Sequence, residues 1–339
     1  MAGNPEPRAG TAAAPHGTGP TRSDRAPAAP PGSPVLVGLF DNVVPMSGYE
    51  IREMTAADVD AAVALARAQG FRDRRAFYDF VLRTPTAQPL VGELGGRVVA
   101  TGLGTISRPV GWIGAIVVDE AFRRRGFGRA MTEAICDRLR LGGCETLSLE
   151  ATDAGLPLYE RMGFRHATWY HQLQADHLDE APAPPAGSRV RMLNRSDLPS
   201  VFALDAAATG EDRSAALGVL AESGGWVLTG EGEAVGGGPG TSGGPARDLR
   251  GYLLPAERAY GAIGAPRLED GIYLLDLHRF LVPSNGHVRA GVPHEHAAGW
   301  QALEARGWRE TWRAPRLLLG PDIDWRPEWI WGQINSAMG

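Results

Sequence analysis

The sequence of 339 residues contains no lysine, and all 34 of its Lys-or-Arg positions are arginine. This absence excludes mechanisms that depend on a lysine amine, such as Schiff-base formation or proton abstraction by a lysine. Cysteine is almost as scarce. The chain has only Cys136 and Cys144, which make no disulfide framework, so we expect reduced thiols. No apolar run approaches the ~18 residues that a membrane span requires.

The composition and charge are those of an ordinary globular protein. The chain is 43% hydrophobic and 22% charged, with a formal net charge of -5. A negative net charge argues against a nucleic-acid binder that works by neutralising phosphates. The N-terminus shows no charged-then-apolar leader pattern, so we expect a cytoplasmic protein with no membrane partner and no nucleic-acid partner.

Two stretches that are poor in core-forming residues divide the chain. Residues 1–46 are rich in Ala, Pro and Gly and cannot bury enough apolar surface to offset their ordering entropy, which predicts a disordered tail. Residues 176–188 are polar and Pro-rich, which is typical of a linker. The sequence therefore predicts two folded domains, at 47–175 and at 189–339, the second of which includes a C-terminal tail.

The first domain shows the periodicities of a mixed α/β fold. Period-two alternation predicts strands, and apolar spacing of three and four predicts helices. Two strand-like runs flank Gly95-Gly96, which predicts a hairpin. The predicted elements are strands at 49–54, 90–94, 97–103, 112–118 and 145–150, and helices at 56–70, 74–82, 129–141 and 156–162.

The turn at residues 123–128, Arg-Arg-Arg-Gly-Phe-Gly, lies between a predicted buried strand and a helix. Such a turn forms an anion site, because the first N–H groups of a helix have no intrahelical partner and carry the positive end of the helix dipole. Gly126 and Gly128 allow a phosphate to approach the backbone, and the arginines add forked donors. The turn lacks both the Gly-Lys-Ser/Thr of a P-loop and the three spaced glycines of a dinucleotide fingerprint.

The pattern Arg-x-x-Gly-x-Gly after Val-Val-Asp resembles the acyl-CoA pyrophosphate loop of the GNAT family of N-acetyltransferases. A second stretch, residues 158–164 with the sequence Leu-Tyr-Glu-Arg-Met-Gly-Phe, is similar to the family's Leu-Tyr-x-x-x-Gly-Phe. It follows the glycine turn at a separation of about 30 residues, as the family pattern has it. The order of predicted elements also resembles that family. The resemblance implies a GNAT fold, with a mixed sheet, over residues 47–175.

The resemblance also implies the chemistry. It implies acetyl-CoA, or another acyl-CoA, as a cosubstrate, with no metal. A backbone N–H at the strand end, that of Val118, would stabilise the oxyanion. Tyr159 matches the family position that protonates the leaving thiolate, although a tyrosine here could equally be a packed core residue. The implied cofactor-binding residues are Ile116, Val117, Val118, Arg123, Arg124, Arg125, Gly126, Phe127, Gly128 and Arg129.

The general base is not fixed by the resemblance. Three carboxylates in strand-end or turn positions are candidates: Glu150 at the end of a strand, Glu93 in the hairpin, and Glu120 after the central strand. Each could instead be a solvated or capping group. Of the three, we assign Glu150, at the strand end, as the base.

The second domain repeats the beginning and the end of the first. Residues 189–198 echo residues 49–58, and residues 303–308 echo the second family signature. The central glycine turn is missing, and Leu303 stands where Tyr159 would be. This pattern predicts a degenerate GNAT-like domain in which CoA binding is disfavoured.

These features predict an N-acyltransferase that passes an acyl group directly to an amine, most simply a small-molecule amine. Two other functions stay open: a silent CoA-binding sensor or scaffold, and acyl-CoA hydrolysis or decarboxylation without an amine. A homodimer is also left open. His294-Glu295-His296 suggests a zinc pair, but no third ligand is evident, so a loop or helix start is the simpler interpretation.

Overall fold

The computed structural model describes residues 48–231 and 248–339. The predicted tail at 1–46 lies outside these residues, and so does most of the Gly-rich loop at 230–244. In the described part of the chain, each helix is too short or too polar to cross a bilayer.

The chain folds as two halves that share one order of elements: strand, two helices, three strands, helix, strand, helix, strand. This repeat is the tandem arrangement that the sequence predicts. The strands of the first half are β1 Tyr49–Glu53, β2 Ala87–Leu94, β3 Arg97–Ser107, β4 Val110–Val118, β5 Thr146–Glu150 and β6 Arg165–Asp176. Its helices are α1 Val59–Ala68, α2 Arg75–Arg83, α3 Phe127–Leu141 and α4 Leu156–Arg161.

The second half repeats this series and then adds one short strand. Its strands are β7 Ser188–Met192, β8 Trp226–Gly230, β9 Leu249–Pro255, β10 Gly261–Gly264, β11 His287–Pro293, β12 Arg309–Leu319 and β13 Ile330–Gly332. Its helices are α5 Leu198–Thr209, α6 Ser214–Ala221, α7 Leu268–Leu281 and α8 Ala297–Glu304.

The two halves exchange strands. The larger sheet has eight strands in the order β1-β2-β3-β4-β5-β12-β6-β11, so two strands of the second half complete the sheet of the first. Strand β12 lies between β5 and β6 and is antiparallel to both, with Arg316 opposite Glu150 and Thr168. The smaller sheet has the order β13-β10-β9-β8-β7. Neither half can therefore complete its strand pairing without the other.

The large sheet has two differently covered faces. On one face, α3 lies so close that a Cβ at Gly102 would meet Met131 at 2.7 Å and Ile135 at 2.8 Å. On the other face, Leu103 belongs to a core that includes α1, α2 and buried second-half residues such as Leu217. Burial of each such side chain contributes about 1.5–3 kcal/mol. The second half therefore covers the α1–α2 face.

Candidate active site

The site is a wedge between β4 and β5. These two strands pair in parallel only from Val110 to Trp112, opposite Thr146 to Ser148, and then diverge. Within the diverging part, Ala115 has a φ of +51°, and the register with β3 shifts there. A residue with this left-handed backbone produces a bulge that re-aims the strand. The bulge therefore directs the end of β4 away from β5 and opens the wedge.

The hydrogen bonding of β4 to β3 indicates which backbone groups face the wedge. The Asp119 N–H donates to the Val99 carbonyl on β3 at 2.9 Å. Two residues before Asp119 on β4, Val117 lies opposite Thr101 of β3. In an antiparallel pair, successive residues direct their backbone groups alternately towards and away from the partner strand. Because Asp119 and Val117 face β3, the N–H of Val118 faces the wedge. This is the donor that the sequence suggested for an oxyanion.

The glycine turn stands at the end of the wedge as the N-terminus of α3. Gly126 is the N-cap with a φ of +90°, a conformation that glycine adopts without steric cost. The Gly126 carbonyl accepts the first intrahelical bond, from the Ala130 N–H at 2.9 Å. The N–H groups of Phe127 and Gly128 precede that bond and point out of the helix end. The predicted strand, turn and helix start are all in place, and the turn is a suitable cradle for a pyrophosphate.

The arginines of the turn adopt different roles. Arg123 donates to the Val118 carbonyl at 3.4 Å and also to the Gln69 side chain, so it braces the turn. Arg125 packs 5.6 Å from the centre of the Phe122 ring, and Arg129 pairs with Glu133 at 2.8 Å. Arg124 is exposed, with a φ of +58°. The turn therefore offers several guanidinium groups around the helix N-terminus, of which Arg123 is already engaged.

Glu150 is half-buried at the open end of β5. Its carboxylate accepts hydrogen bonds from the Gln172 amide at 3.2 Å and from the Gln333 amide at 2.5 Å. Burial raises the pKa of Glu150 to about 7, while the two amides and nearby Arg316 oppose the shift. A carboxylate with a pKa near neutrality can exchange a proton readily at physiological pH. Glu150 therefore has the position and the acidity of a general base.

The other two candidate carboxylates lie elsewhere. Glu93 pairs with Arg52 at 2.9 Å, on strands β2 and β1 at the far edge of the sheet. Glu120 is exposed in a 3-10 turn after β4. Of the three, only Glu150 lies at the wedge mouth among the residues that the structure describes.

Tyr159 lies on α4, which follows β5 on the same face of the sheet as α3. Its side chain is 8% exposed and contacts the Phe164 ring edge-on, with centroids 6.0 Å apart. Burial raises its pKa to about 12, so the phenol keeps its proton at neutral pH. A Cβ at Gly155 would approach the Tyr159 ring to 2.9 Å, so that glycine leaves room for the ring. A buried, protonated phenol fits both a packed residue and a general acid.

The corresponding wedge of the second half, between β10 and β11, is filled by the chain itself. Strand β13 pairs with β10 and also contacts β11. Trp331 of β13 is fully buried, and its indole N–H donates to the Ala265 carbonyl at 3.1 Å. A Cβ at Gly271 of α7 would lie only 1.9 Å from the Trp331 ring. The place that a strand-like ligand would take is therefore occupied by residues of this chain.

Three residues at the site had no sequence signal. Gln172 and Gln333 hold Glu150, and the Tyr260 hydroxyl donates to Gln172 Oε1 at 3.3 Å. They come from β6, from the segment after β13, and from the residue immediately before β10. Isolated polar residues in strands carry no motif, and only the exchange of strands brings them together.

The histidines at 294 and 296 have separate partners. His294 Nδ1 lies 3.0 Å from His171 Nε2, and His171 Nδ1 contacts the Glu310 carboxylate. His296 Nδ1 contacts the Ile330 carbonyl at 3.1 Å at the start of α8. No cluster of three metal-ligating side chains occurs in residues 48–231 and 248–339. Both cysteines are free and buried, as expected.

Comparison with known proteins agrees with this geometry. Residues 51–164 match the model of the family described as acetyltransferase (GNAT) family. The uncharacterized N-acetyltransferase YitH of Bacillus subtilis is 25% identical over 235 residues, which cover 67% of this chain and 76% of YitH.

Two solved structures share the architecture. A putative acetyltransferase from Pyrococcus horikoshii has a TM-score of 0.71 at 19% identity, covering 89% of this chain and 100% of that protein. A tandem GNAT protein from the clavulanic acid biosynthesis pathway has a TM-score of 0.56 at 20% identity, covering 81% of this chain and 99% of that protein. At these identities the likeness shows the fold.

Proposed function

We propose that this chain, whose residues 51–164 match the family model of GNAT acetyltransferases, transfers an acyl group from acetyl-CoA directly to a small-molecule amine. The observation that carries the proposal is the wedge between β4 and β5. It has an anion-binding helix N-terminus at one end and Glu150, with a pKa of about 7, at its mouth. Acetyl-CoA, or another acyl-CoA, is the cosubstrate that such a wedge fits. A cytoplasmic location stays the expectation from the sequence.

The residues of the wedge divide the work of acyl transfer. The helix N-terminus at Gly126 holds the pyrophosphate, and the exposed edge of β4 holds the pantetheine arm along Ile116, Val117 and Val118. Glu150 removes a proton from the acceptor ammonium, directly or through a water, which frees the nitrogen lone pair. The nitrogen then attacks the thioester carbon.

Charge develops on the carbonyl oxygen during that attack. The Val118 N–H faces the wedge and supplies a fixed donor for the oxyanion. When the carbon–sulfur bond breaks, the leaving thiolate needs a proton. Tyr159 supplies that proton from its buried, protonated hydroxyl. Forming the amide also releases a second proton from the attacking nitrogen, which restores the Tyr159 hydroxyl through water, and Glu150 passes its own proton to solvent. The products are the N-acylated amine, free CoA and one proton.

We assign the chemistry to the first half and one CoA to each chain. The second half has β13 in its own wedge and Trp331 packed beneath α7, which leaves no room for a second pantetheine arm. The second half contributes Gln333 to the site, and its buried residues cover the α1–α2 face of the first half.

A thiol-release assay separates this proposal from its alternatives. With acetyl-CoA and a mixture of amines, we expect free thiol to appear only when an amine is present, and Glu150→Gln to lose most of the rate. Glu145→Gln is the matched control, because Glu145 is exposed at the opposite end of β5. Thiol release without amine would favour hydrolysis. CoA binding without release under any condition would favour a sensor or scaffold.

A further inference from the structure

Four arginines gather beside the candidate active site, and we call them the arginine cluster: Arg72, Arg74, Arg258 and Arg289. The first two lie in the connection between α1 and α2, the third in the connection between β9 and β10, and the fourth on β11. None of the four forms an ion pair or a side-chain hydrogen bond within the described ranges 48–231 and 248–339. Most of the other arginines that the structure describes are paired, as Arg52, Arg213 and Arg250 are.

Three of the four arginines lie near Tyr260, and the fourth, Arg72, lies near Arg289. The Arg289 guanidinium lies 6.0 Å from the centre of the Tyr260 ring. The charges of Arg258 and Arg74 act on the same phenol, and the charge of Arg72 acts on Arg289. The carboxylates beside the cluster are Glu257 and Asp73, which offset only part of its charge.

The guanidinium of Arg74 packs against aromatic rings, and its buried Nε has no hydrogen-bond acceptor among the described residues. Its guanidinium packs 4.6 Å from the Phe71 ring centre and 5.1 Å from that of Phe77. Its Nε is buried and has no hydrogen-bond partner in the part of the chain that the structure describes. Buried donors in proteins are almost always paired, so such a group points to an acceptor that a ligand brings.

The backbone that presents Arg258 is strained. Arg258 and the following Ala259 have φ values of +59° and +61°. Residues with a Cβ rarely adopt this region, and two in succession are unusual; such backbone concentrates at functional sites. Tyr260 follows this strained turn directly and is the last residue before β10.

A short chain of hydrogen bonds connects the cluster to the proposed base. The Tyr260 hydroxyl donates to Gln172 Oε1 at 3.3 Å, and the Gln172 amide donates to Glu150 at 3.2 Å. The charge of Glu150 also acts on the Tyr260 phenol. Two side chains, Tyr260 and Gln172, therefore connect the cluster to Glu150. Arg72 and Arg74 lie between α1 and α2, on the face of the large sheet opposite α3. The proposed pyrophosphate site is the N-terminus of α3, so the cluster and the pyrophosphate site lie on opposite faces.

From this juxtaposition we propose that the acceptor amine carries an anionic group, a phosphate or a carboxylate, that the arginine cluster binds while the amine reaches Glu150. The inference rests on the proposed acyl transfer. Guanidinium groups bind phosphate and carboxylate oxygens through paired, charge-assisted hydrogen bonds. The anion would also give the buried Arg74 Nε its acceptor. Two arginines come from each half, so the acceptor would bind across both.

The test uses three amines with the same two-carbon spacing: 2-aminoethyl phosphate, β-alanine and ethanolamine, which has a hydroxyl in place of the anionic group. Binding of each to the full chain loaded with CoA is measured by calorimetry, and acetylation of each is measured by thiol release. We expect both anionic amines to bind more tightly than ethanolamine, with the difference shrinking as salt rises. The anionic amine that binds more tightly indicates whether the site prefers a phosphate or a carboxylate. Arg289→Gln and Arg258→Gln should each weaken anionic-amine binding about 10- to 100-fold.

Arg140→Gln is the matched control, because Arg140 is exposed on α3 and remote from the cluster. It should leave amine binding unchanged, and CoA affinity should be the same in all three variants. Anionic amines that bind in an arginine-dependent manner without acetylation would support the anion site and contradict the proposed transfer. Ethanolamine that binds and reacts as well as the anionic amines would overturn the anion site and leave the transfer intact. Loss of CoA affinity in the cluster variants would also overturn it, because the cluster would then serve the CoA phosphates.

Discussion

Replacing Gln333 with methionine tests how the second half acts on the proposed base. The Gln333 amide donates to Glu150 at 2.5 Å and accepts from Gln172 at 3.0 Å. Methionine has a similar length but no donor. The lost hydrogen bond stabilised the carboxylate, so its removal favours the protonated acid and raises the pKa of Glu150 further above its present value of about 7.

The size of the effect follows from one charge-assisted hydrogen bond. Such a bond contributes about 1.5–3 kcal/mol, and one pKa unit corresponds to about 1.4 kcal/mol, so the pKa should rise by about 1–2 units. At pH 7 about half of the wild-type Glu150 is ionised. A pKa of about 8–9 would leave between about a tenth and a hundredth ionised, so kcat/KM at pH 7 should fall about 5- to 50-fold.

The assay is kcat/KM for one amine between about pH 6 and pH 10, with acetyl-CoA saturating. The ionisation of the amine is common to both proteins, so the difference in midpoint reports an enzyme group. Activity of Gln333→Met should recover at high pH. Gln301→Met, at an exposed position on α8, is the matched control and should keep the wild-type midpoint. An equal midpoint in wild type and Gln333→Met would refute Glu150 as the limiting base.

Three further predictions follow from the same site. Tyr159→Phe should lower turnover by about 10²–10⁴-fold and leave CoA affinity nearly unchanged, whereas Tyr273→Phe, at another buried tyrosine, should keep wild-type turnover. Wild-type turnover in Tyr159→Phe would make Tyr159 a packing residue only. Gly126→Val should abolish CoA binding in calorimetry. Gly187→Val, which is also at a positive φ (+68°) but has open space around it, should keep one CoA per chain; two per chain would contradict the filled second wedge. The folded protein retains a proton on Glu150 that the unfolded chain releases, so wild-type stability relative to Glu150→Gln should fall by up to about 3 kcal/mol from pH 4.5 to about pH 7 in chemical denaturation. A constant difference across that range would place the Glu150 pKa near its ordinary value.

Local patterns predicted the elements of the first half well. Apolar spacing of four predicts a helix that buries Met131, Ile135 and Leu139, and α3 buries all three. The Gly95-Gly96 pair predicts a hairpin, and Leu94 lies opposite Arg97 in the sheet. These features depend on neighbours in sequence, which is why a single sequence reveals them.

Partners that are distant in sequence were not predictable in the same way. The sequence of β12 contains no motif that specifies its neighbours in the sheet, so its insertion between β5 and β6 left no trace in the sequence. Gln172 and Gln333 are 161 residues apart and meet only because of that exchange. Glu150 could be proposed from its place at a strand end, but its raised pKa depends on surroundings that come from both halves.

A crystal structure of the protein with a non-hydrolysable acetyl-CoA analogue and an amine is the most direct test of the proposed acyl transfer between β4 and β5. We expect one analogue per chain, with its pyrophosphate at the N-terminus of α3 and its pantetheine arm between β4 and β5. The carbonyl oxygen should lie within hydrogen-bond reach of the Val118 N–H, and the amine should lie on the Glu150 side. An analogue bound between β10 and β11 in place of β13 would contradict the assignment of CoA to the first half. An amine remote from Glu150 would contradict Glu150 as the base.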